Sequence, residues 1–203
     1  MENIADLEVK SVPHDQAVRM AQFWAEGAVV LLLVRRFGCA ICRYQAKRLS
    51  VLSSHLTGKN IRMVAIGSER LGSEEFVQGN YWAGETYYDP EKKVFDGLGL
   101  SSKGYLGLMK TMLQKKTWDA INEAKRVGIT GNLQGDAYQL GGCFVVSQEG
   151  ELLYEFRQND AGDQEDVVEV ARSLGFELKK SDLNQPELAP ECTDTCAPAS
   201  KEN

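Results

Sequence analysis

The chain has 203 residues, a formal net charge of −6 and 43% hydrophobic residues. This length predicts one domain with room for a sizeable core, and the composition is that of an ordinary globular protein. The acidic balance argues against nucleic acid as a general partner, and no apolar run reaches the length of a transmembrane helix.

The N-terminus indicates where the protein works. Residues 1–6 are acidic and lack the apolar segment of a signal peptide. The five cysteines are an odd number, and their spacing is not that of a secreted disulfide framework. The expected compartment is therefore the cytosol, where thiols stay reduced.

In chain order, an edge strand is expected at 7–12. Apolar residues at helical spacing predict a helix over 15–26, and Gly27 suits its end. The continuous aliphatic run 28–34 predicts a strand that is buried on both faces of a sheet. Gly38 permits a tight turn after it, and leucines spaced three and four apart then indicate an amphipathic helix that reaches residue 56.

Cys39 and Cys42 lie at the junction between this predicted strand and the helix. Unpaired backbone N–H groups and the positive end of the helix dipole stabilise an anion there, so the pKa of a cysteine falls and more of it is thiolate. Five bases lie in the same stretch, and their positive charges are also expected to lower the pKa of the cysteines: Arg35, Arg36, Arg43, Lys47 and Arg48. A strand followed by C-x-x-C on a helix is the thioredoxin-type redox arrangement.

Two other interpretations of the cysteine pair remain open. The two thiols could be inert and buried, although inert thiols need no flanking arginines. They could also form half of a zinc site, whose second half would come from Cys192 and Cys196. The strand–turn–helix context favours a redox pair. A zinc-binding or redox-sensing interaction protein is thus an alternative from a different functional class.

The rest of the chain alternates strands and helices. We expect strands at 61–66, 86–88, 143–147 and 152–157. Helices are expected around 74–77 and 90–95, within 97–113, over 117–127 and over 164–174. In the helix over 117–127, the expected core residues are Trp118, Ile121 and Val127. The glycine-rich loop 128–136 is of the kind that shapes a site. Gly97 and Gly99 form a G-x-G pattern, but its third glycine is misplaced, so no dinucleotide site is expected there.

This order predicts an α/β protein with a thioredoxin-like sandwich, in which a mixed central sheet carries helices on both faces. The domain spans residues 1–178. Residues 179–203 change to Pro, Glu, Ser and Asp and predict a disordered tail that contains Cys192 and Cys196. Cys143 opens an apolar strand and is expected to be a buried small hydrophobe.

Residues 35–43, Arg-Arg-Phe-Gly-Cys-Ala-Ile-Cys-Arg, resemble the signature of the peroxiredoxin-like 2 family. Residues 76–85 and 127–136 are similar to further stretches of the same family. The resemblance spans most of residues 15–176. It departs from ordinary peroxiredoxins, whose P-x-x-x-T-x-x-C pattern would place proline and threonine where this chain has Leu32 and Arg36.

The resemblance implies an oxidoreductase that reduces the endoperoxide of prostaglandin H2 and of its ethanolamide, prostamide H2, to the F-type products, with NADPH as the ultimate electron donor. On this interpretation Cys39 attacks the O–O bond, Cys42 resolves the adduct, and Arg36 and Arg43 stabilise the leaving alkoxide. No tightly bound cofactor is expected, so thioredoxin or a similar dithiol protein would carry the electrons. The alternative is an antioxidant thiol peroxidase that acts on hydrogen peroxide or lipid hydroperoxides.

Overall fold

The structure is a computed structural model that describes residues 1–100, 102–132, 134–179 and 182–183. Within these residues the strands β1 to β7 span Glu8–Ser11, Ala17–Arg19, Ala28–Val34, Ile61–Gly67, Glu85–Tyr88, Gly142–Val146 and Leu152–Arg157. The helices α1 to α8 span Glu2–Ala5, Ala40–Leu49, Ser53–Leu56, Ser73–Gln78, Lys93–Gly97, Tyr105–Met112, Lys115–Arg126 and Val167–Ser173. Two 3₁₀ turns cover Met20–Phe23 and Ser50–Leu52.

The strands form one mixed sheet in the order β2-β1-β5-β4-β3-β6-β7. Strand β3 lies near its centre, where it pairs in parallel with β4 and antiparallel with β6. Both of its edges are therefore occupied. A strand in this position suits the uninterrupted aliphatic run of residues 28–34, because both of its faces are covered as well.

Alternate side chains of β3 supply two separate core layers. Val30, Leu32 and Val34 pack with the first layer, which includes residues of α2 and α8. Val29, Leu31 and Leu33 pack with the second layer on the opposite face, which includes residues of α1 and α5. The predicted mixed sheet with helices on both faces is confirmed.

The helix expected over 15–26 is wrong. Residues 17–19 form β2, which pairs antiparallel with β1, and a 3₁₀ turn follows at Met20–Phe23. Met20 and Phe23 are both fully buried. The apolar spacing thus identified residues that do lie in the core. The backbone of residues 17–19 is nevertheless extended, because its N–H and C=O groups form hydrogen bonds with β1.

Other elements are present with shifted ends or faces. Helix α5 begins at Lys93 and not at Pro90, because the buried Asp89 carboxylate accepts hydrogen bonds from the backbone N–H groups of Val94 (2.7 Å) and Phe95 (3.4 Å). On α7, Trp118 is 49% exposed, against the expectation that it lies in the core. The buried positions of that helix are the small residues Thr117, Ala120 and Ala124.

The predicted disordered tail begins at residue 179, and Cys192 and Cys196 in it lie outside the described residues. Leu183 is described and packs against the first core layer. Among the described residues, no helix combines the length and the apolar character needed to cross a membrane.

Candidate active site

The site lies at the carboxyl end of β3, where the chain enters α2. Cys39 is the N-cap residue of α2, with extended φ and ψ of −80° and 125°. Its carbonyl accepts the backbone N–H of Arg43 at 2.9 Å, and its own N–H donates to the Arg36 carbonyl at 3.2 Å. Cys42 follows in the first turn of the helix. The sequence placed both thiols correctly at a helix N-terminus, where the helix dipole favours an anion.

The two sulfurs have opposite acid–base character. The side-chain hydrogen bond from Cys42 is the largest cause that holds the pKa of Cys39 well below its usual value, and the positive charges of Arg35 and Arg36 add to it against the opposing effect of burial. The same hydrogen bond, together with burial, raises the pKa of Cys42 well above its usual value. The two shifts have opposite directions, so the pair loses its first proton more readily at Cys39 than at Cys42.

Arg35 is the base in direct contact with the Cys39 sulfur. Its Nη2 donates to Cys39 Sγ at 3.1 Å, and its Nη1 donates to the Ala137 carbonyl at 3.3 Å. Burial alone would lower the pKa of this arginine, but the negative charge of the cysteine pair, carried chiefly by Cys39, raises it above its usual value. A buried guanidinium that pairs with a buried thiolate neutralises a charge that would otherwise be costly in the interior.

The two arginines expected to stabilise the substrate lie in different places. Arg36 lines the cavity beside Cys39, and its Nη1 donates to the Gln134 carbonyl at 3.5 Å. Arg43 donates to the Phe37 carbonyl (2.8 Å), the Thr130 carbonyl (3.0 Å) and the Glu75 carboxylate (2.9 Å), and it does not line that cavity. The geometry gives Arg43 a positioning role, whereas its direct contact with substrate stays a prediction.

The predicted glycine-rich loop closes over the start of α2. The Asn132 backbone N–H donates to the Gly38 carbonyl at 2.7 Å. A β-carbon at Gly131 would lie 2.4 Å from the Ala40 nitrogen, and one at Gly38 would lie 2.2 Å from Asn132 Oδ1. There is no room for a side chain at either position. Glycine at both positions therefore allows the loop to approach the cysteines closely.

A cavity of about 600 Å³ opens beside Cys39. This volume is within the range of pockets that hold small organic ligands. Most of its surface is apolar, and its aliphatic residues come from α2, α7 and the segments that follow α7: Ala40, Ile41, Ile121, Ile129, Ala137 and Ala161. Cys39 lines it, whereas Cys42 does not. The sulfur with the lowered pKa is therefore the one that faces the cavity.

Sequence reasoning missed several residues of this site. The sequence places Arg35 among the neighbouring bases but does not assign it to the site, although it lies only four positions before Cys39. The contribution of α7 was also missed. The only signal was the four-residue spacing of Thr117, Ile121 and Lys125, which places them on one helical face.

Cys143 does not line the cavity. Cys143 is fully buried on β6, as expected, and burial followed by the charge of Glu165 raises its pKa well above the usual value. A zinc site would need Cys192 and Cys196, which lie outside the described residues, so that alternative remains a hypothesis. Gly97 and Gly99 lie at the C-terminal end of α5, where a helix presents carbonyl groups and not the N–H groups that bind phosphate.

A C-x-x-C pair at the start of a helix on a mixed, helix-covered sheet is the arrangement of thioredoxin-fold thiol oxidoreductases. Residues 48–160 match the family described as AhpC/TSA antioxidant enzyme. The chain belongs to this peroxiredoxin-like family, and it is an oxidoreductase.

Curated relatives cover nearly the whole chain. Prostamide/prostaglandin F synthase of Xenopus tropicalis is 34% identical over 192 residues, which are 94% of this chain and 96% of the relative. The Homo sapiens protein of the same name is 38% identical over 173 residues, which are 85% of this chain and 87% of the relative. The recognised resemblance is thereby confirmed.

Solved structures agree on the fold. Peroxidoxin BcpB from Mycobacterium tuberculosis superimposes with a TM-score of 0.56 at 14% identity and covers 89% of this chain and 92% of its own. A structure of peroxiredoxin Q from Xanthomonas campestris gives a TM-score of 0.55 at 10% identity, over 79% of this chain and 85% of its own. The thioredoxin-like fold class is therefore confirmed.

Proposed function

We propose that this oxidoreductase reduces the endoperoxide of prostaglandin H2 and prostamide H2 to prostaglandin F2α and prostamide F2α through a Cys39/Cys42 redox pair. The observation that carries the proposal is the Cys39 sulfur, 3.1 Å from Arg35 Nη2, in the wall of a largely apolar cavity. A bicyclic endoperoxide on a long hydrocarbon chain needs a reactive sulfur and an apolar pocket at the same place. The names of the relatives support this substrate class.

In the first step the Cys39 thiolate attacks one oxygen of the O–O bond. An S–O bond forms, the O–O bond breaks, and the second oxygen leaves as an alkoxide. Arg36, which lines the cavity, and the N-terminus of α2 stabilise that negative charge. Cys42 holds its proton because its pKa is raised, so it can give that proton to the alkoxide.

In the second step the Cys42 thiolate attacks Cys39 Sγ. The S–S bond forms, the S–O bond breaks, and the oxygen released from sulfur takes a proton from water. The substrate gains two electrons and two protons and becomes a diol, while the two cysteines lose two electrons and become a disulfide. Thioredoxin, or a similar dithiol protein, then reduces the disulfide with electrons that come ultimately from NADPH. The cytosol supplies both reductants and is the proposed compartment.

A second candidate is a thiol peroxidase that acts on hydrogen peroxide or lipid hydroperoxides. The family match to antioxidant enzymes favours it. The same thiolate would attack the peroxide, so the two functions differ in their substrate and not in their chemistry. The aliphatic wall and the volume of the cavity favour a bulky apolar substrate over hydrogen peroxide.

The deciding experiment is a turnover assay of the purified protein with prostaglandin H2, NADPH, thioredoxin and thioredoxin reductase, run beside the same mixture with hydrogen peroxide. We expect rapid formation of the F-type product and slow consumption of hydrogen peroxide. The opposite preference would establish the peroxidase function. Regeneration by NADPH alone, without thioredoxin and its reductase, would contradict the proposed electron carrier.

Two cysteine variants test the roles of the sulfurs. Cys39→Ser should abolish turnover of either substrate while the fold is kept, because it removes the nucleophile. Cys42→Ser retains a hydrogen-bond donor to Cys39 but cannot form the disulfide, so it should accumulate an adduct at Cys39 that mass spectrometry of the intact protein detects. Turnover by Cys39→Ser would remove this residue from the mechanism.

A further inference from the structure

The charged residues in the cavity wall are all of one sign. Arg35, Arg36 and Lys125 line it, and none of its described lining residues is Asp or Glu. The whole chain, by contrast, has a net charge of −6. A positive, largely apolar cavity in an acidic protein suits a ligand that is apolar and also carries negative charge.

The three cations are not equivalent. Arg35 is bound to Cys39 Sγ and to the Ala137 carbonyl, and Arg36 donates to the Gln134 carbonyl. Lys125 is exposed, and in the part of the chain that the structure describes no ion pair joins it to a carboxylate. Its ammonium group can therefore take an anionic ligand without breaking an ion pair of the protein.

Lys125 and the reacting sulfur belong to different elements of the cavity wall, α7 and the start of α2. Thr117, Ile121 and Lys125 are spaced four residues apart, so they form one stripe on α7 that spans about 12 Å along the helix axis. Lys125 is in the last turn of α7, next to the loop residues Ile129 and Thr130, which line the same cavity. The aliphatic Ile121 separates it from the Thr117 end of the stripe.

We propose that Lys125 binds the terminal carboxylate of an extended fatty-acyl substrate whose peroxide group lies at Cys39. This inference rests on the proposed function, because it assigns the two ends of the same substrate. The arginines beside Cys39 are needed where the alkoxide forms, so the distal carboxylate must find its cation elsewhere in the wall. The ethanolamide form of the substrate carries no charge at that end and gains nothing from Lys125.

Lys125 is thus a specificity residue that favours the acid over the amide. Its long aliphatic stem suits an apolar wall, while the ammonium group of this exposed residue stays hydrated. Partial exposure weakens a charge pair, so the expected discrimination is roughly fivefold in affinity.

The binding test uses unreactive probes. Arachidonic acid and arachidonoyl ethanolamide, both below their micellar concentrations, displace the neutral dye Nile red from the wild type and from Lys125→Met. We expect the Kd for the acid to rise roughly fivefold in the variant, while the Kd for the ethanolamide changes less than about twofold. Lys125→Arg should restore binding of the acid.

Lys115→Met is the matched control, because Lys115 is on the same helix, pairs with Asp119 at 3.0 Å and does not line the cavity. It should leave both affinities unchanged. An equal loss for acid and amide in Lys125→Met, or no loss for the acid, would overturn the proposal.

Steady-state kinetics separate this inference from the proposed function. In Lys125→Met the KM for prostaglandin H2 should rise while kcat and the KM for prostamide H2 stay the same. If the wild type turned over neither substrate, the proposed function would fail, and the binding experiment would still decide the role of Lys125. If turnover were normal but the acid lost no affinity in the variant, only the inference about Lys125 would fail.

Discussion

The contact between Arg35 and Cys39 sets the reactivity of the site. Arg35 Nη2 lies 3.1 Å from Cys39 Sγ, and both side chains are buried. A buried, charge-assisted hydrogen bond of this kind stabilises the thiolate strongly, because little water is present to screen it. The low pKa of Cys39 thus depends on Arg35 in addition to Cys42 and the helix N-terminus.

We predict that Arg35→Met slows alkylation of Cys39 by iodoacetamide at mildly acidic pH by about tenfold. The wild-type thiol has a lowered pKa, so it stays ionised and reactive as the pH falls well below 9.0, and the rate drops only near that lowered pKa. Without Arg35 the pKa rises, so the rate begins to drop at a higher pH. The measurement is the alkylation rate against pH, followed by mass spectrometry of the Cys39 peptide.

Lys47→Met removes the same charge from α2 two turns beyond Cys39, where Lys47 Nζ donates to the Asn80 carbonyl at 3.3 Å. Its alkylation profile should match that of the wild type. If alkylation of Cys39 were slowed equally in Arg35→Met and Lys47→Met, the general positive charge of this region, and not the contact with Arg35, would be what lowers the pKa of Cys39.

At the scale of elements, Arg43 ties three segments together. It is on α2 and binds the turn before Cys39 through Phe37, α4 through Glu75, and the loop after α7 through Thr130. Thr130 lines the cavity, so Arg43 fixes one part of the cavity wall relative to Cys39.

Arg43→Lys should therefore weaken both the fold and substrate binding. An ammonium group cannot reproduce the planar fork of a guanidinium, so at least one buried carbonyl loses its donor. We expect a loss of about 2 kcal/mol in the free energy of unfolding by urea and a higher KM for prostaglandin H2, with a smaller change in kcat. Glu75→Gln keeps an acceptor at a side chain that is 60% exposed, so its effect should be small. A destabilised Arg43→Lys with an unchanged KM would show that the loop stays in place without this contact.

The elements that were predicted well have local signals. The aliphatic run 28–34 and the turn at Gly38 determine where Cys39 and Cys42 lie, and both signals are contained in a dozen residues. The failures depend on partners that are distant in the chain. Residues 17–19 are extended because β1 pairs with them, and Trp118 is exposed because α7 presents small residues to the core.

The same distinction holds for the site. The spacing of Cys39 and Cys42 is a local property and predicts the redox pair, as does the cluster of bases around it. The cavity is assembled from α2, α7 and the segments around Ile129 and Ala161, which are up to 122 residues from Cys39 along the chain. The sequence likewise does not indicate that Arg43 connects three segments, because its acceptors Phe37, Glu75 and Thr130 are far apart along the chain.

At the scale of the whole molecule, the cavity comes from residues before the tail, whereas the core extends to Leu183 within it. The cavity residue closest to the C-terminus is Ala161, and Leu183 is the last described residue that packs against the core. A chain that ends after residue 183 thus keeps every described contact of the site and lacks Cys192 and Cys196. The full chain and this truncated chain differ only in the segment that holds those two thiols.

We predict that the truncated chain unfolds within roughly 2 °C of the full chain, since about 1 kcal/mol moves the Tm of a domain of this size by roughly 2–4 °C. Its turnover with thioredoxin and thioredoxin reductase should equal that of the full chain, because in the proposed mechanism Cys39 and Cys42 complete the redox cycle by themselves. The full chain with both Cys192→Ser and Cys196→Ser is the matched control, since it keeps the length and removes only the thiols. Equal loss of turnover in both proteins would mean that the tail thiols carry electrons to the Cys39–Cys42 disulfide. Loss in the truncated chain alone would instead mean that residues 184–203 support the fold or bind the reductant without using their sulfurs.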